Sequence, residues 1–548
     1  MTDGLKDAHR KAIIAVLAAN ERVERAVLFG ARATGTNTVT SDVDIALFGN
    51  RLTLTDKARL AAAIDELPMA QSLDLLLYNS MSDRTLREHI RKHGVEWFAR
   101  SNRPDVEAAI SSTPSDWQQV NLGDVVRLVS GGTPSKKRED YWHGTIPWVS
   151  ARDMKQFRLR DTTHHITAEG LANGTKRVRA GTLLLLTRGM RLLKELPICV
   201  TKKPMAFNQD VKALLPTDRV DAPFLPYLVL GNKQRLLSLV DLAGHGTGRI
   251  NSDELRTFDI RLPPRREQQA IAHILGTLDD KIELNRRMNE TLEAIARALF
   301  KSWFVDFDPV RAKIEGRDTG LPRDIADLFP DRLVDSEMGG IPEGWEVSEI
   351  GKEVRAVGGS TPSTKEPSFW RDGRYHWATP KDLSKLRSPV LLNTSRKITD
   401  AGLRKISSGM LPIGTVLMSS RAPIGYLAIA EVPTAVNQGF IAMRCERRLP
   451  NLYVLCWCRE NLVRIRDIAG GSTFPEISKK AFRPISVVVP SEAVLGMYER
   501  LGRPLHDQLV VAMKEGATLT ALRDTLVPKL ISGRIRLTEA KSAMVAEA

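Results

Sequence analysis

The chain is predicted to be α/β (α+β), with two copies of a mixed α/β domain, each followed by a long helix, behind a small extra α/β domain at the N-terminus. Three observations predict this. The first is an internal repeat. Trp117-Gln118, Gly123, Thr133-Pro134-Ser135 and Trp142 recur 228 residues later as Trp345-Glu346, Gly351, Thr361-Pro362-Ser363 and Trp370. The offset becomes 229 at Trp148/Trp377 and at Asn208-Gln209/Asn437-Gln438, 232 at Ile166/Ile398, and 227 at Pro263/Pro490. Solenoid units run to roughly 20–50 residues, so so long a period means a duplicated domain. The second observation is an apolar seam of helical spacing behind each copy. The third is that residues 1–100 have no counterpart in the second copy. At roughly 150 residues per domain, 548 residues accommodate this division.

Within residues 1–100, Val27-Leu28-Phe29 reads as a buried strand and Leu73-Asp74-Leu75-Leu76-Leu77 as another. Ser41-Asp42-Val43-Asp44-Ile45 falls between them. On a strand, Asp42 and Asp44 would share one side, because side chains alternate with period two. A linker is expected at 101–115, where Asn-Arg-Pro and Ser-Ser-Thr-Pro-Ser cluster. The first repeated domain then spans 116–264 and the second 341–490, with a linker at 308–340. Short apolar runs such as Gly181-Thr-Leu-Leu-Leu-Leu186 and Gly414-Thr-Val-Leu-Met418 are their strands.

The helix after the first copy is placed at 265–307. Leu275, Leu278, Ile282, Asn285, Asn289, Leu292, Ala296, Leu299 and Trp303 advance in steps of three and four, a coiled-coil seam. The second helix, at 491–537, carries Leu505, Leu509, Ala512, Gly516, Leu519, Arg523, Leu526 and Leu530, and a tail follows at 538–548. Gly516 and Arg523 weaken this second seam. The matched length and phase predict that the two helices pair with each other, antiparallel if the copies are related by a pseudo-twofold. About 37 residues at 1.5 Å give a rod of roughly 55 Å.

Net charge is +15, and residues 1–100, with 14 basic and 13 acidic side chains, supply only +1 of it. The duplicated body is therefore the basic part, which favours a polyanion, nucleic acid first. Candidate DNA contacts stand beside the turn signals. They are Thr133, Ser135, Lys136, Lys137, Arg138, Arg152, Lys155 and Arg188 in the first copy, and Thr361, Ser363, Lys365, Lys381, Lys385 and Arg421 in the second. Such side chains hold phosphates or fork onto base edges. The repeated Asn-Gln pairs serve equally as base contacts or as buried hydrogen-bonders. The loop Gly131-Gly-Thr-Pro-Ser-Lys-Lys-Arg138 lacks the Gly-Lys-Ser/Thr of a phosphate loop. Cys199, Cys445, Cys456 and Cys458 form no CxxC, consistent with a reducing cytosol and against structural zinc. The polar N-terminus and the lack of an 18-residue apolar run predict a cytoplasmic chain with no membrane partner.

Two resemblances follow from these residues. The segments Pro263-Pro-x-x-Glu-Gln-Gln269, Leu278-Asp-Asp-Lys-Ile282 and Trp303-Phe-Val-Asp-Phe307, set within two tryptophan-led domains, resemble the DNA-specificity subunit of type I restriction-modification systems. The second copy departs from this pattern, with Ser491-Glu-Ala after Pro490. The resemblance implies two target-recognition domains reading a bipartite double-stranded DNA site, with the helices as spacer. It implies no cofactor of the body's own. Two modification (methyltransferase) subunits bring S-adenosylmethionine, and restriction subunits that use ATP join through them. Trp303, Phe304 and Phe307 are then candidates for the subunit interface, with packing on the coiled coil as the alternative.

The N-terminal segment resembles a minimal nucleotidyltransferase of the polymerase-beta superfamily. That resemblance implies Asp42, Asp44 and Asp74 as a Mg²⁺-binding catalytic triad, with Gly30 and Arg32 near a bound nucleoside triphosphate. Gly30-Ala31 replaces the family's Gly-Ser, removing a hydroxyl for which Arg32 would compensate. An active nucleotidyltransferase, delivered by a DNA-binding body, is the alternative function.

Overall fold

The structure, a computed structural model, describes residues 5–537 apart from residue 6 and residues 37–40, 50–51, 66, 68–72, 79–80, 82–83, 100–115, 244–245, 422 and 471–474. The expected linker at 101–115 and tail at 538–548 lie outside the described residues. Two compact units result, one of residues 1–116 with 263–270 and the other of the remaining chain.

In the first unit a helix, α1 (Asp7–Ala19), and a second, α2 (Leu54–Asp65), cover a four-stranded sheet. Its strands are β1 (Arg25–Phe29), β2 (Val43–Phe48), β3 (Leu73–Leu77) and β4 (Val95–Ala99), ordered β3-β2-β1-β4. Only β2 and β3 run parallel, which places Asp44 directly opposite Asp74. The core joins Ile13 and Leu17 of α1 to Leu28, Ile45 and Leu75 of the sheet.

In the second unit the two recognition halves share one topology. The first has a five-stranded sheet in the order Val126–Ser130, Val211–Pro216, Leu183–Leu186, Ile198–Thr201, Arg158–Leu159. The second repeats it as Arg355–Val357, Phe440–Arg444, Val416–Ser419, Leu427–Ala430, Val390–Leu391. In both, only the last pair is parallel. Leu183–Leu186 is buried at every position, as a central strand covered on both faces requires. Each half is closed by pairing its first and last strands, Gln118–Asn121 with Asp259–Leu262 and Glu346–Glu349 with Ser486–Val489. A smaller sheet carries Trp142 and Trp148 on Trp142–Val149 and Trp377 on Tyr375–Ala378, with Trp370 just ahead of that strand.

The two helices run Arg265–Phe304 and Glu492–Ile531, 40 residues each, and both ends are offset by 227. They pair antiparallel. Asp279 meets Arg523, Asn285 donates to Glu515 at 2.8 Å and Met288 lies against Gln508, so partner numbers fall along one helix as they rise along the other. Leu292, Leu509 and Val510 close an apolar cluster between them. Arg523, expected to weaken the seam, instead donates to Asp279 at 2.7 Å. Tyr227 of the first half donates to the same carboxylate at 2.7 Å, and Asp279 is only 3% exposed. Each half is also pinned to the rod, the first through Arg160–Glu283 (2.6 Å), the second through Arg459–Glu293 and His506–Glu431 (both 2.8 Å). Among the described residues no helix is long and apolar enough to cross a membrane.

Trp303, Phe304 and Phe307, the interface candidates, are 1%, 6% and 8% exposed and make edge-on or tilted ring contacts with Phe329, Trp345, Tyr453 and Tyr498, so within this chain the helix end packs into the second half. Large aromatic rings reward such burial more than any partly exposed contact would.

Candidate nucleic-acid interface

The repeated motifs, scattered in sequence, meet in space. Thr133 Oγ1 donates to Gln209 Oε1 at 2.6 Å, and Thr361 Oγ1 donates to Gln438 Oε1 at 2.6 Å. Behind each bond stand two edge-on tryptophans, Trp142/Trp148 at 5.3 Å and Trp370/Trp377 at 5.0 Å. Their indole N–H groups donate to loop carbonyls of Ser135 and Gly132 in the first copy, and of Ser363 and Ser360 in the second. Glycine is required where the loop passes the strand before Asn-Gln. A Cβ on Gly131 would lie 2.0 Å from Phe207 O, and one on Gly359 would lie 1.7 Å from Val436 O.

A carboxylate, partly buried at Asp153 and buried at Asp382, anchors the next turn in each copy. Asp153 accepts from the backbone N–H and hydroxyl of both Ser150 and Thr163, and Asp382 does the same with Thr379 and Ser395. Burial works against the charge of each, yet the four hydrogen bonds prevail and hold both carboxyls below the usual range.

On this frame the first copy opens a groove of about 1130 Å³, lined by Thr133, Lys136, Trp142, Arg152, Gln209 and three histidines, His143, His164 and His165. The histidines escaped the sequence analysis. The repeat offsets are the signal that could have found them, because they stand where the second copy has Asp372, Arg396 and Lys397. His164 approaches Trp142 edge-on at 6.2 Å, whereas Arg396 lies over Trp370 at 3.5 Å. One frame thus presents different chemistry in each half.

The predicted basic residues divide. Lys136, Lys137, Arg152, Lys155, Arg188, Lys365, Lys381 and Lys385 are exposed and carry no ion pair among the described residues. Arg138 is held by Asp140 at 2.6 Å and lies over Tyr141, and Arg421 faces Glu476 at 3.5 Å. Ser135 and Ser363 lend their carbonyls to the tryptophans and leave their side chains exposed.

In the N-terminal unit, Gly30 (φ 73°, ψ −154°) passes so close to Asp44 that a Cβ would meet its Oδ2 at 2.4 Å. Burial, then Asp74, then Asp42, push the Asp44 carboxyl above its ordinary range. Asp74 and Asp42 thus both lie near enough to act on Asp44. Asp42 stands one residue before β2, which begins at Val43, and Asp44 pairs with Asp74 across β2 and β3. Arg32 is 3% exposed, and its guanidinium donates to the carbonyls of Ser41 (2.6 Å) and Asp42 (3.1 Å), bracing the loop before β2.

Residues 114–294 and 342–493 match the family described as "Type I restriction modification DNA specificity domain", and residues 11–103 match "Polymerase beta, Nucleotidyltransferase". The chain is 27% identical to the type I restriction enzyme MjaIX specificity subunit of Methanocaldococcus jannaschii, over 79% of this chain and 96% of the relative. It is 24% identical to the HindI specificity subunit of Haemophilus influenzae, over 77% of this chain and 100% of that one. Among solved structures, the S subunit of a type I restriction-modification system from M. genitalium aligns over 76% of this chain and 96% of its own, with 16% identity and a TM-score of 0.46.

Proposed function

We propose, from the premise that the chain belongs to the type I restriction-modification DNA-specificity family, that its two halves read the two parts of a bipartite duplex target. The recognition domains are assigned to 116–264 and 341–490. The observation that carries this reading is the duplicated Thr–Gln and Trp–Trp frame, built twice with different groove residues and joined by two equal antiparallel helices. Forty residues at 1.5 Å give a rod of about 60 Å, against about 34–36 Å for a turn of DNA.

The exposed cations provide phosphate contacts. They are Lys136, Lys137, Arg152, Lys155 and Arg188 on one half and Lys365, Lys381 and Lys385 on the other. Thr133 and Thr361 shape the loops on which these cations and Ser135 and Ser363 stand. The body performs no chemistry itself. Two modification subunits dock on it with S-adenosylmethionine, and restriction subunits using ATP join through them. A gel-shift titration of the full chain with its modification subunits tests this. The expected result is binding with a preference in two separated blocks. Binding without such a preference, or indifferent to the modification subunits, overturns it.

A further inference from the structure

A three-stranded ribbon adjoins the groove of the first half, ordered Arg188–Gly189, Thr247–Ile250, Val240–Ala243. It is tied to the groove rim. Thr187 N and Arg188 N both donate to Asp210 O, and Ile250 N donates to Thr187 O. Asp210 follows Gln209, whose side chain holds Thr133. The second half repeats this attachment, with Ser420 N donating to Gly439 O and Ile477 N to Ser420 O. The bonds therefore make Arg188 equivalent to Arg421 and Arg249 equivalent to Glu476.

The consequence is a difference in charge. Arg188 and Arg249 are direct cross-strand partners, and such partners project on the same face. Both are exposed, and among the described residues no carboxylate pairs with either. Asp241 stands opposite Arg249 on the third strand without an ion pair, so the row reads Arg, Arg, Asp. In the second half the same position brings Arg421 against Glu476 at 3.5 Å. Two like charges held side by side destabilise a ladder unless an anion lies over them.

We propose that Arg188 and Arg249 form a clamp for a DNA backbone phosphate, present on the first half alone, and that Glu476 silences its counterpart on the second. Through Asp210, the clamp is tied to the groove that Lys136 and Arg152 line. It makes the first half the stronger electrostatic anchor, while the second depends more on base contacts. This rests on the DNA-reading function proposed above.

The test is the salt dependence of binding of the full chain, assembled with its modification subunits, to a short duplex of randomised sequence. Each phosphate contact contributes about 0.9 to the slope of log Kobs against log salt. The double change Arg188→Gln/Arg249→Gln, which empties the clamp, is expected to flatten the slope by about that amount, Arg188→Lys/Arg249→Lys to preserve it, and Glu476→Gln to steepen it by freeing Arg421. Circular dichroism matching the parent chain excludes misfolding as the cause. A slope unchanged by Arg188→Gln/Arg249→Gln, or unchanged by Glu476→Gln, overturns the clamp while leaving DNA reading intact. Absence of salt-dependent binding in the parent chain overturns the DNA-reading function itself.

Discussion

Replacing Asp279 tests how the two helices are held in register. Its carboxylate is 3% exposed and takes one hydrogen bond from Arg523 of the other helix and one from Tyr227 of the first recognition half, both at 2.7 Å. Asp279→Ala strands the mostly buried Arg523 and leaves the Tyr227 hydroxyl, itself raised far above its ordinary pKa by burial and by Asp279, without an acceptor. Breaking a buried pair from one side costs about 3–5 kcal/mol. Arg523 keeps Asp524 at 2.7 Å, but that carboxylate is largely solvated, so the lower figure of about 3 kcal/mol applies. At about 1.4 kcal/mol per tenfold, local opening becomes on the order of a hundredfold more frequent. Amide hydrogen exchange measures this. Backbone sites around 275–285 and 519–527 should exchange about a hundredfold faster, while the sheet at Leu183–Leu186 stays protected. The triple change Tyr227→Phe, Asp279→Leu, Arg523→Leu removes every polar partner together and should restore most of the protection. Unchanged exchange in Asp279→Ala, or a triple variant as labile as the single one, refutes the reasoning.

Three further outcomes are expected. Asp153 and Asp382 titrate below the roughly 3.9 of an unfolded aspartate, so their stabilisation is complete above that pH and is lost as pH falls through the lower folded-state values; acid melts should show the parent losing stability below about pH 4, and Asp153→Asn/Asp382→Asn losing less. Gly30→Ala places a Cβ against Asp44 in a backbone region reserved for glycine, a cost of about 1–3 kcal/mol that should lower the calorimetric transition of the N-terminal unit and leave that of the body in place. Asn289→Leu removes a buried amide oxygen without a partner from the helix seam and should stabilise the body to urea by about 1 kcal/mol, whereas destabilisation would mean that the amide is satisfied.

The long-range plan of the molecule was legible because duplication and helical periodicity leave marks at fixed offsets. The 227-residue offset of Pro263 and Pro490 is the offset of both helix ends. What escaped depends on contacts that spacing does not encode. Thr133 and Gln209 are 76 residues apart, and only the fold shows that they bond. Arg523 read as a flaw because its partner lies on the other helix. For Trp303, Phe304 and Phe307 spacing leaves a subunit interface and packing within the chain both open, because it does not show that Tyr498, Tyr453 and Trp345 lie against them. The groove histidines stand out only once the second copy supplies Asp372, Arg396 and Lys397 for comparison.

The most direct test of the account is the sequence logo of duplexes retained from a randomised pool by the chain with its modification subunits. It should be recorded for the parent and for Gln209→Ala and Gln438→Ala. Each variant frees one loop hydroxyl and loosens one groove. The account predicts two blocks at a constant gap, with each variant eroding one block and sparing the other. A single contiguous block, or both blocks eroded together by either variant, would contradict it.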